Sequence, residues 1–192
     1  MRILFFPLFL LAMTVTLKAQ VPDSTALIII DIQQFYFPGG SVPLENPQAA
    51  AEKAASLLTW FRENHKPLVH VGHISRSGSE FHPLVLPATG EKVIMKGEVN
   101  AFLNTDLEKF LRENHIKNLI LCGMQTHMCL EGATRAAHDL GFSCTVAADA
   151  CTTRDLTWGD TTVKAAEVHA ATLATLKSYA AVRNVDDIIL RK

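Results

Sequence analysis

The sequence predicts an α/β domain built on a mainly parallel β-sheet with helices on both faces. Three observations carry this. Short aliphatic runs of strand length alternate with stretches whose apolar residues recur every three or four positions, in the order strand, helix, strand, strand, helix, strand, helix, strand, helix, strand. Three separate runs are each followed closely by a residue with reactive chemistry, Asp31, Lys96 or Cys129, and open α/β sheets bind ligands at the carboxyl ends of their strands. Beyond residues 1–19 about 170 residues remain without repeat, linker or low-complexity tract, enough for one domain with a proper core.

Residues 1–20 carry one early positive charge, Arg2, an apolar run from Ile3 to Leu17, and then Lys18-Ala19-Gln20. Such a run reaches only about 22 Å as a helix, short of a ~30 Å hydrocarbon core. The segment reads as a secretory signal, residues 1–19, cut after Ala19, which leaves a domain of residues 20–192 that is periplasmic or secreted. Leu17 is larger than the small residue favoured two places before such a cut, so an uncleaved anchor is the alternative. Removing residues 1–19 takes away Arg2 and Lys18 and moves the net charge from −1 to −3. That weak acidity gives no reason to expect nucleic acid or, after signal removal, a membrane as partner; the expected partner is a small molecule.

Thr25–Ile30 is a continuous run for a buried strand and ends at Asp31, a carboxylate that is costly there unless solvated, hydrogen-bonded or working. Phe35-Tyr36-Phe37-Pro38-Gly39-Gly40 forms an aromatic loop closed by a turn. From Pro47 to Asn64, Ala50, Ala54, Leu57, Leu58 and Phe61 share one helical face. Leu68–Val71 is the second strand; His70 and His73, three apart at its end, point to opposite faces, which argues against a metal pair. Ser75–Gly90 reads as an irregular loop, and Lys92–Met95 as a third strand that ends at Lys96. Asn104 or Thr105 caps a helix running to Asn114. Ser143–Ala148 is the fifth strand, Ala165–Ser178 an Ala-rich helix, Ala181–Val182 a last short strand, and Asn184 caps a final turn, Val185–Leu190.

The stretch Asn118–Gly141 organises the rest. Leu119–Cys122 is strand-like, Gly123 breaks it, and from Met128 the period becomes helical until Gly141 stops it. Cys129 therefore sits at the first turn of a helix leaving a central strand. There, unpaired N–H groups and the helix dipole favour a thiolate. Cys122, Cys144 and Cys151 complete the cysteine count. A chain this long and aliphatic needs no disulfides; Cys122 and Cys144 lie in strand runs as buried thiols, and any bridge should leave Cys129 free.

In a parallel sheet the ends carrying Asp31, Lys96 and Cys129 lie at one edge, so the three can meet. A free thiol with a pKa of ~8.5 is only a few per cent thiolate at neutral pH. Lowering it to ~7 takes about 2 kcal/mol, within reach of an ammonium a few Å away plus a helix N-terminus. Asp31 could then take the thiol proton and hand it to a leaving amine.

With these residues the sequence resembles the isochorismatase-like cysteine hydrolases, a superfamily that includes nicotinamidases, N-carbamoylsarcosine amidases and streptothricin hydrolase. The matching pieces are LIIIDIQQFYFPGG, VHVGHIS, GEKVIMK, CGMQTHMCLEGATRAAHDLGF, CTVAADACTTRDL and VHAATLATL. The resemblance implies a three-layer αβα sandwich, Rossmann-like, with about six strands. It implies Asp31 as acid/base, Lys96 as thiolate activator and Cys129 as nucleophile. It further implies a non-proline cis peptide bond between Met124 and Gln125, an oxyanion hole from the backbone N–H groups of Gln125 and Cys129, no cofactor and a homo-oligomer. The reaction implied is cleavage of the C–N bond of a small amide, imide or ureide through a thioester on Cys129.

The substrate pocket is expected among Phe35, Tyr36, Phe37, His73, Phe102 and Thr126, with Phe81 and Trp158 as further candidate walls. Nicotinamidases carry an Asp-x-His metal motif where this chain has His73 and Ser75, so no metal is expected. Phe35 stands where many relatives have Asp, which makes the pocket mouth more apolar. Two other readings stay open from sequence: a small-ligand-binding or assembly protein without turnover, and an isochorismatase-type vinyl ether hydrolase. Isochorismatases proper lack the nucleophilic Cys, so Cys129 argues against the latter.

Overall fold

A computed structural model describes residues 21–189 of the chain. The expected signal segment, residues 1–19, the new terminus at Gln20 and the expected helix end at Leu190 lie outside these residues. In chain order the elements are β1 Thr25–Ile30, α1 Pro47–Glu63, β2 Leu68–His73, β3 Lys92–Lys96, α2 Leu107–Glu113, β4 Asn118–Met124, α3 Glu131–Asp139, β5 Ser143–Thr152, β6 Leu156–Trp158, β7 Thr161–Val163, α4 Ala165–Leu176, β8 Ala180–Arg183 and α5 Val185–Ile189. Six strands form one sheet in the order β3-β2-β1-β4-β5-β8, every neighbouring pair parallel. Helices cover both faces, giving the three-layer αβα sandwich: α1 and α5 pack together against β5 on one side, α3 and α4 on the other. No helix among the described residues is long and apolar enough to cross a membrane.

The two central strands explain why this sequence chooses a parallel sheet. Every residue of β1 is buried, as are Leu119–Met124 of β4, so both strand faces must be apolar and both must be covered. On α1 the buried residues Ala50, Ala51, Ala54, Leu57, Leu58 and Phe61 form the stripe that covers one of them. Pro47 opens the helix at a position where its missing N–H costs nothing. From β1 the chain proceeds outward to β2 and β3, then returns to place β4 on the opposite flank of β1. The crevice above the β1–β4 boundary is therefore the topological switch point, where doubly wound sheets hold their ligands.

Gly123 makes that boundary possible. It adopts φ 127°, and a Cβ on it would lie 1.9 Å from the carbonyl oxygen of Ile30. Gly123→Ala is expected to cost at least ~3 kcal/mol or to prevent folding, because neither the dihedral nor the backbone of β1 can yield. A thermal melt of the purified variant checks this; a midpoint within a few degrees of the parent would show that the boundary relaxes.

The structure corrects several element boundaries. Strand β5 continues past Ala148 to Thr152, because its pairing with β4 resumes at Gly123–Cys151 and Met124–Thr152 after an irregularity. The apparent stop at Asp149 marks a carboxylate with its own partners: it accepts from the Val185 N–H at 2.8 Å and lies 3.5 Å from Lys53 Nζ. The loop Ser75–Gly90 includes a single 3-10 turn, Pro83–Val85. A two-stranded antiparallel hairpin, β6–β7, was not anticipated, although Gly159-Asp160 between short runs rich in Thr and Val is a turn signal. Trp158 lies on this hairpin and is 89% exposed, so it walls no pocket within this chain.

Candidate active site

Three strand ends deliver the reactive side chains. Immediately after β1, Asp31 enters the left-handed region at φ 51°, while its N–H still bonds to the Val71 carbonyl at 2.8 Å. Asp tolerates this conformation better than most side chains. Lys96 is the last residue of β3 and His73 the last of β2, and the two are register partners. After β4, the Met124–Gln125 peptide is cis. The backbone then makes a π-helical turn, Thr126–Leu130, in which Met128 N–H and Leu130 N–H share the Gln125 carbonyl at 3.1 and 3.3 Å. Cys129 sits inside this turn and not, as expected, in the first turn of a regular helix. Single π turns recur at functional sites.

The three sequence-predicted residues converge. Lys96 Nζ lies 2.8 Å from Asp31 Oδ2, donates to Cys129 Sγ at 3.2 Å and contacts His73 Nδ1 at 3.1 Å. Asp31 and Lys96 are fully buried and Cys129 is 4% exposed. By distance the Asp31–Lys96 contact is an ion pair, yet neither carboxylate oxygen makes a well-directed hydrogen bond, so Asp31 retains acceptor capacity in the site.

Burial decides the electrostatics. The Cys129 thiol is pushed up to about 12, by desolvation first and by the Asp31 charge second, with Lys96 opposing both. Desolvation likewise raises the Asp31 carboxyl above its ordinary range, and Lys96 pulls the other way. The expectation of a standing thiolate near neutrality is thus corrected: its reckoning of ammonium and helix dipole left out the cost of a dry site and a neighbouring carboxylate. One ammonium balances one negative charge. A proton passed from the Cys129 sulfur to the Asp31 carboxylate would leave that balance unchanged.

The other thiols lack such a partner. Cys151 donates to the Ala147 carbonyl at 3.1 Å and Cys144 to the Phe142 carbonyl at 3.6 Å, contacts that favour the neutral thiol, and Cys122 is fully buried with its pKa raised by desolvation. All four cysteines are free. Iodoacetamide followed by peptide mapping is expected to label Cys129 first, since it alone of the four hydrogen-bonds to a cation. Earlier labelling of Cys122, Cys144 or Cys151 would contradict this.

Asp31, His73 and Cys129 each present a donor atom within 4.8 Å of the others, a geometry that would suit a metal ion. Lys96 Nζ already lies 2.8–3.2 Å from atoms of all three. A divalent ion there would have to displace or deprotonate the ammonium, so the donor set fits the lysine and does not fit a metal alongside it. His70 is buried and pairs through Nε2 with Glu91 at 2.9 Å, apart from His73 as the strand alternation predicts.

The expected pocket residues divide. Tyr36 reaches the site, its hydroxyl 3.4 Å from Gln125 Nε2. Thr126, the first residue of the π turn, is buried, its Oγ1 2.9 Å from His169 Nδ1. Phe37 stacks on His82 with centroids 3.9 Å apart, and Phe35 packs against Gly78, so both brace the loop as buried core. Phe102 stacks on Phe142, just before the start of β5, with centroids 6.1 Å apart. Three contributors were missed. Gln33, fully buried, clamps His73 from both sides, accepting from its N–H at 2.7 Å and donating to its carbonyl at 3.1 Å. Arg154 donates through Nε to Gln125 Oε1 at 3.2 Å. His169 holds Thr126. Only Gln33, a polar residue two places after Asp31 and close to the end of a buried strand, left a readable signal.

This arrangement has relatives. A profile described as the isochorismatase domain matches residues 25–178. The chain belongs to the isochorismatase family. It is 42% identical over 175 residues to the uncharacterized isochorismatase family protein YddQ of Bacillus subtilis, covering 85% of this chain and 97% of YddQ. It is 31% identical over 152 residues to a secreted isochorismatase effector, Isc1, of Verticillium dahliae, covering 71% of this chain and 80% of Isc1. A crystal structure of a candidate isochorismatase hydrolase from Oleispira antarctica superposes with a TM-score of 0.84 at 42% identity, covering 89% of this chain and 98% of the other. The fold and the matched span thus make this an isochorismatase-family hydrolase.

Proposed function

We propose that this isochorismatase-family protein hydrolyses the C–N bond of a small amide, imide or ureide through a thioester on Cys129. The observation that carries the reading is the buried contact set in which one ammonium, Lys96, lies 2.8 Å from Asp31 and 3.2 Å from Cys129. Asp31 takes the thiol proton as sulfur attacks the carbonyl carbon, and Lys96 stays beside the charge as it moves from carboxylate to sulfur. The backbone N–H groups of Gln125 and Cys129 receive the oxyanion. Collapse breaks the C–N bond, and the leaving nitrogen carries away the proton held by Asp31. Water then attacks the thioester, gives a proton to Asp31 and releases the acid, and that proton returns to sulfur. Arg154, an exposed guanidinium beside Gln125, favours substrates with an acceptor or carboxylate at the far end.

The test is a panel of small amides, imides and ureides, with and without a carboxylate, read by ammonia or amine release and by a mass shift on Cys129. Turnover of a vinyl ether with no C–N cleavage would favour the isochorismatase reading, and binding without any turnover would favour a ligand-binding scaffold. The composition of residues 1–19, together with a relative described as secreted, supports export as a second element of the reading. Mature protein from its native host should then begin at or near Gln20.

A further inference from the structure

The contacts of Lys96 include one that the proposed reaction does not use. A lysine ammonium can only donate, so the 3.1 Å contact from Lys96 Nζ calls for Nδ1 of His73 as acceptor, which the imidazole offers in the tautomer with its proton on Nε2. His73 is held for this purpose. It faces Lys96 across the β2–β3 ladder as its register partner, the Ile74 N–H bonds to the Lys96 carbonyl at 2.9 Å, and Gln33 grips both the N–H and the carbonyl of His73. We propose that His73 is a positioning residue: as an uncharged acceptor it fixes the Lys96 ammonium between Asp31 and Cys129 without adding a second negative charge.

Two physical arguments support this. A fully buried ammonium has three N–H groups to place, and an unplaced one is costly. Asp31 and Cys129 account for two neighbours, and His73 supplies the third. The sign of the acceptor matters as much as its presence. Asp31 already raises the proton affinity of Cys129, and a further carboxylate at position 73 would act in the same direction while drawing the ammonium towards itself. An imidazole nitrogen satisfies the ammonium and leaves its charge for the pair that needs it. The charged and titratable groups recorded around His73 are Lys96 from β3, Asp31 after β1 and Cys129 from the π turn.

The test compares His73→Asn, His73→Asp and His73→Leu by the rate of Cys129 alkylation with iodoacetamide across pH, read by peptide mass, and by the split between kcat and KM on any substrate found. Asn offers an uncharged oxygen near the place of Nδ1, and Asp offers the same shape with a charge. His73→Asn is expected to keep the alkylation rate within about threefold, while His73→Leu loses about tenfold. His73→Asp is expected to shift the profile to higher pH, and the loss on a substrate should fall on kcat. Coincident profiles for the Asn and Asp variants, or a Leu variant indistinguishable from the parent, would overturn the proposal. Should His73→Leu not fold, the Asn–Asp comparison still decides. The inference rests on the proposed thiol chemistry, but alkylation needs no substrate. A clear Asn–Asp split without C–N cleavage would sink the amidase reading and leave the role of His73 standing.

Discussion

Cys129→Ala is expected to lower turnover by at least four orders of magnitude, about 5 kcal/mol of lost transition-state stabilisation, while leaving the fold intact. The loss is large because sulfur is the proposed site of the new bond. Without it, water would have to attack the amide directly, with only positioning and an oxyanion hole to help. The fold should survive because Ala fits any space that Cys fills, and the Asp31–Lys96 pair at 2.8 Å remains. Thermal stability should change little or rise, since a polar thiol is removed from a site where burial and the Asp31 charge, against Lys96, push its pKa up to about 12. The measurements are steady-state turnover, a melt, and mass spectrometry for an acyl adduct, which the variant should never show. Residual turnover above one per cent would remove Cys129 from the chemistry.

Lys96→Ala and Asp31→Asn are each expected to cost at least two orders of magnitude in turnover, about 3 kcal/mol, and to differ in how they do so. Loss of Lys96 leaves Asp31 buried without its counter-charge. The carboxyl then takes up a proton, so the variant escapes most of the penalty of an unpaired charge but loses its base along with its activator. Alkylation of Cys129 should slow and move to higher pH. In Asp31→Asn the ammonium stays and the anion that raised the thiol's pKa is gone. Its alkylation should therefore speed up or shift to lower pH even though turnover is lost. Opposite shifts separate the roles of proton carrier and charge. Equal alkylation–pH profiles in parent and Lys96→Ala would leave Cys129 without an activator.

Where burial and period coincide, the chain could be read directly. Thr25–Ile30 is a strand in both readings because a six-residue run rich in β-branched side chains is of strand length and too short for a buried helix, and Pro47–Glu63 is a helix because its apolar stripe and its Pro agree. Asp31, Lys96 and Cys129 were legible as a group because each follows a run whose end the parallel topology sends to one edge. What stayed hidden depends on contacts between distant segments. Asp149 looked like a strand end because its partners, Lys53 and the Val185 N–H, come from elsewhere in the chain. The thiol's environment was misjudged because a sequence shows which charges can meet but not how much water remains around them. Phe102 and Phe37 are aromatic in any register, and only the folded loop decides whether a ring faces the core or a substrate.

The sheet order carries one more implication. Asp31 and Cys129 project from the two innermost strands, whereas Lys96 ends β3, which has the sheet on only one side and alternates buried and exposed residues along its length. Edge strands open at lower free energy than central ones. Fraying of β3 would withdraw the ammonium while the nucleophile and its base stayed in register, silencing the enzyme well before the domain melts. On warming, activity and amide protection of Val93–Lys96 should fade together, ahead of the loss of protection in Leu27–Ile30. The thermal limit of function would then be set by the outermost strand, and anything that lay against that edge would extend it.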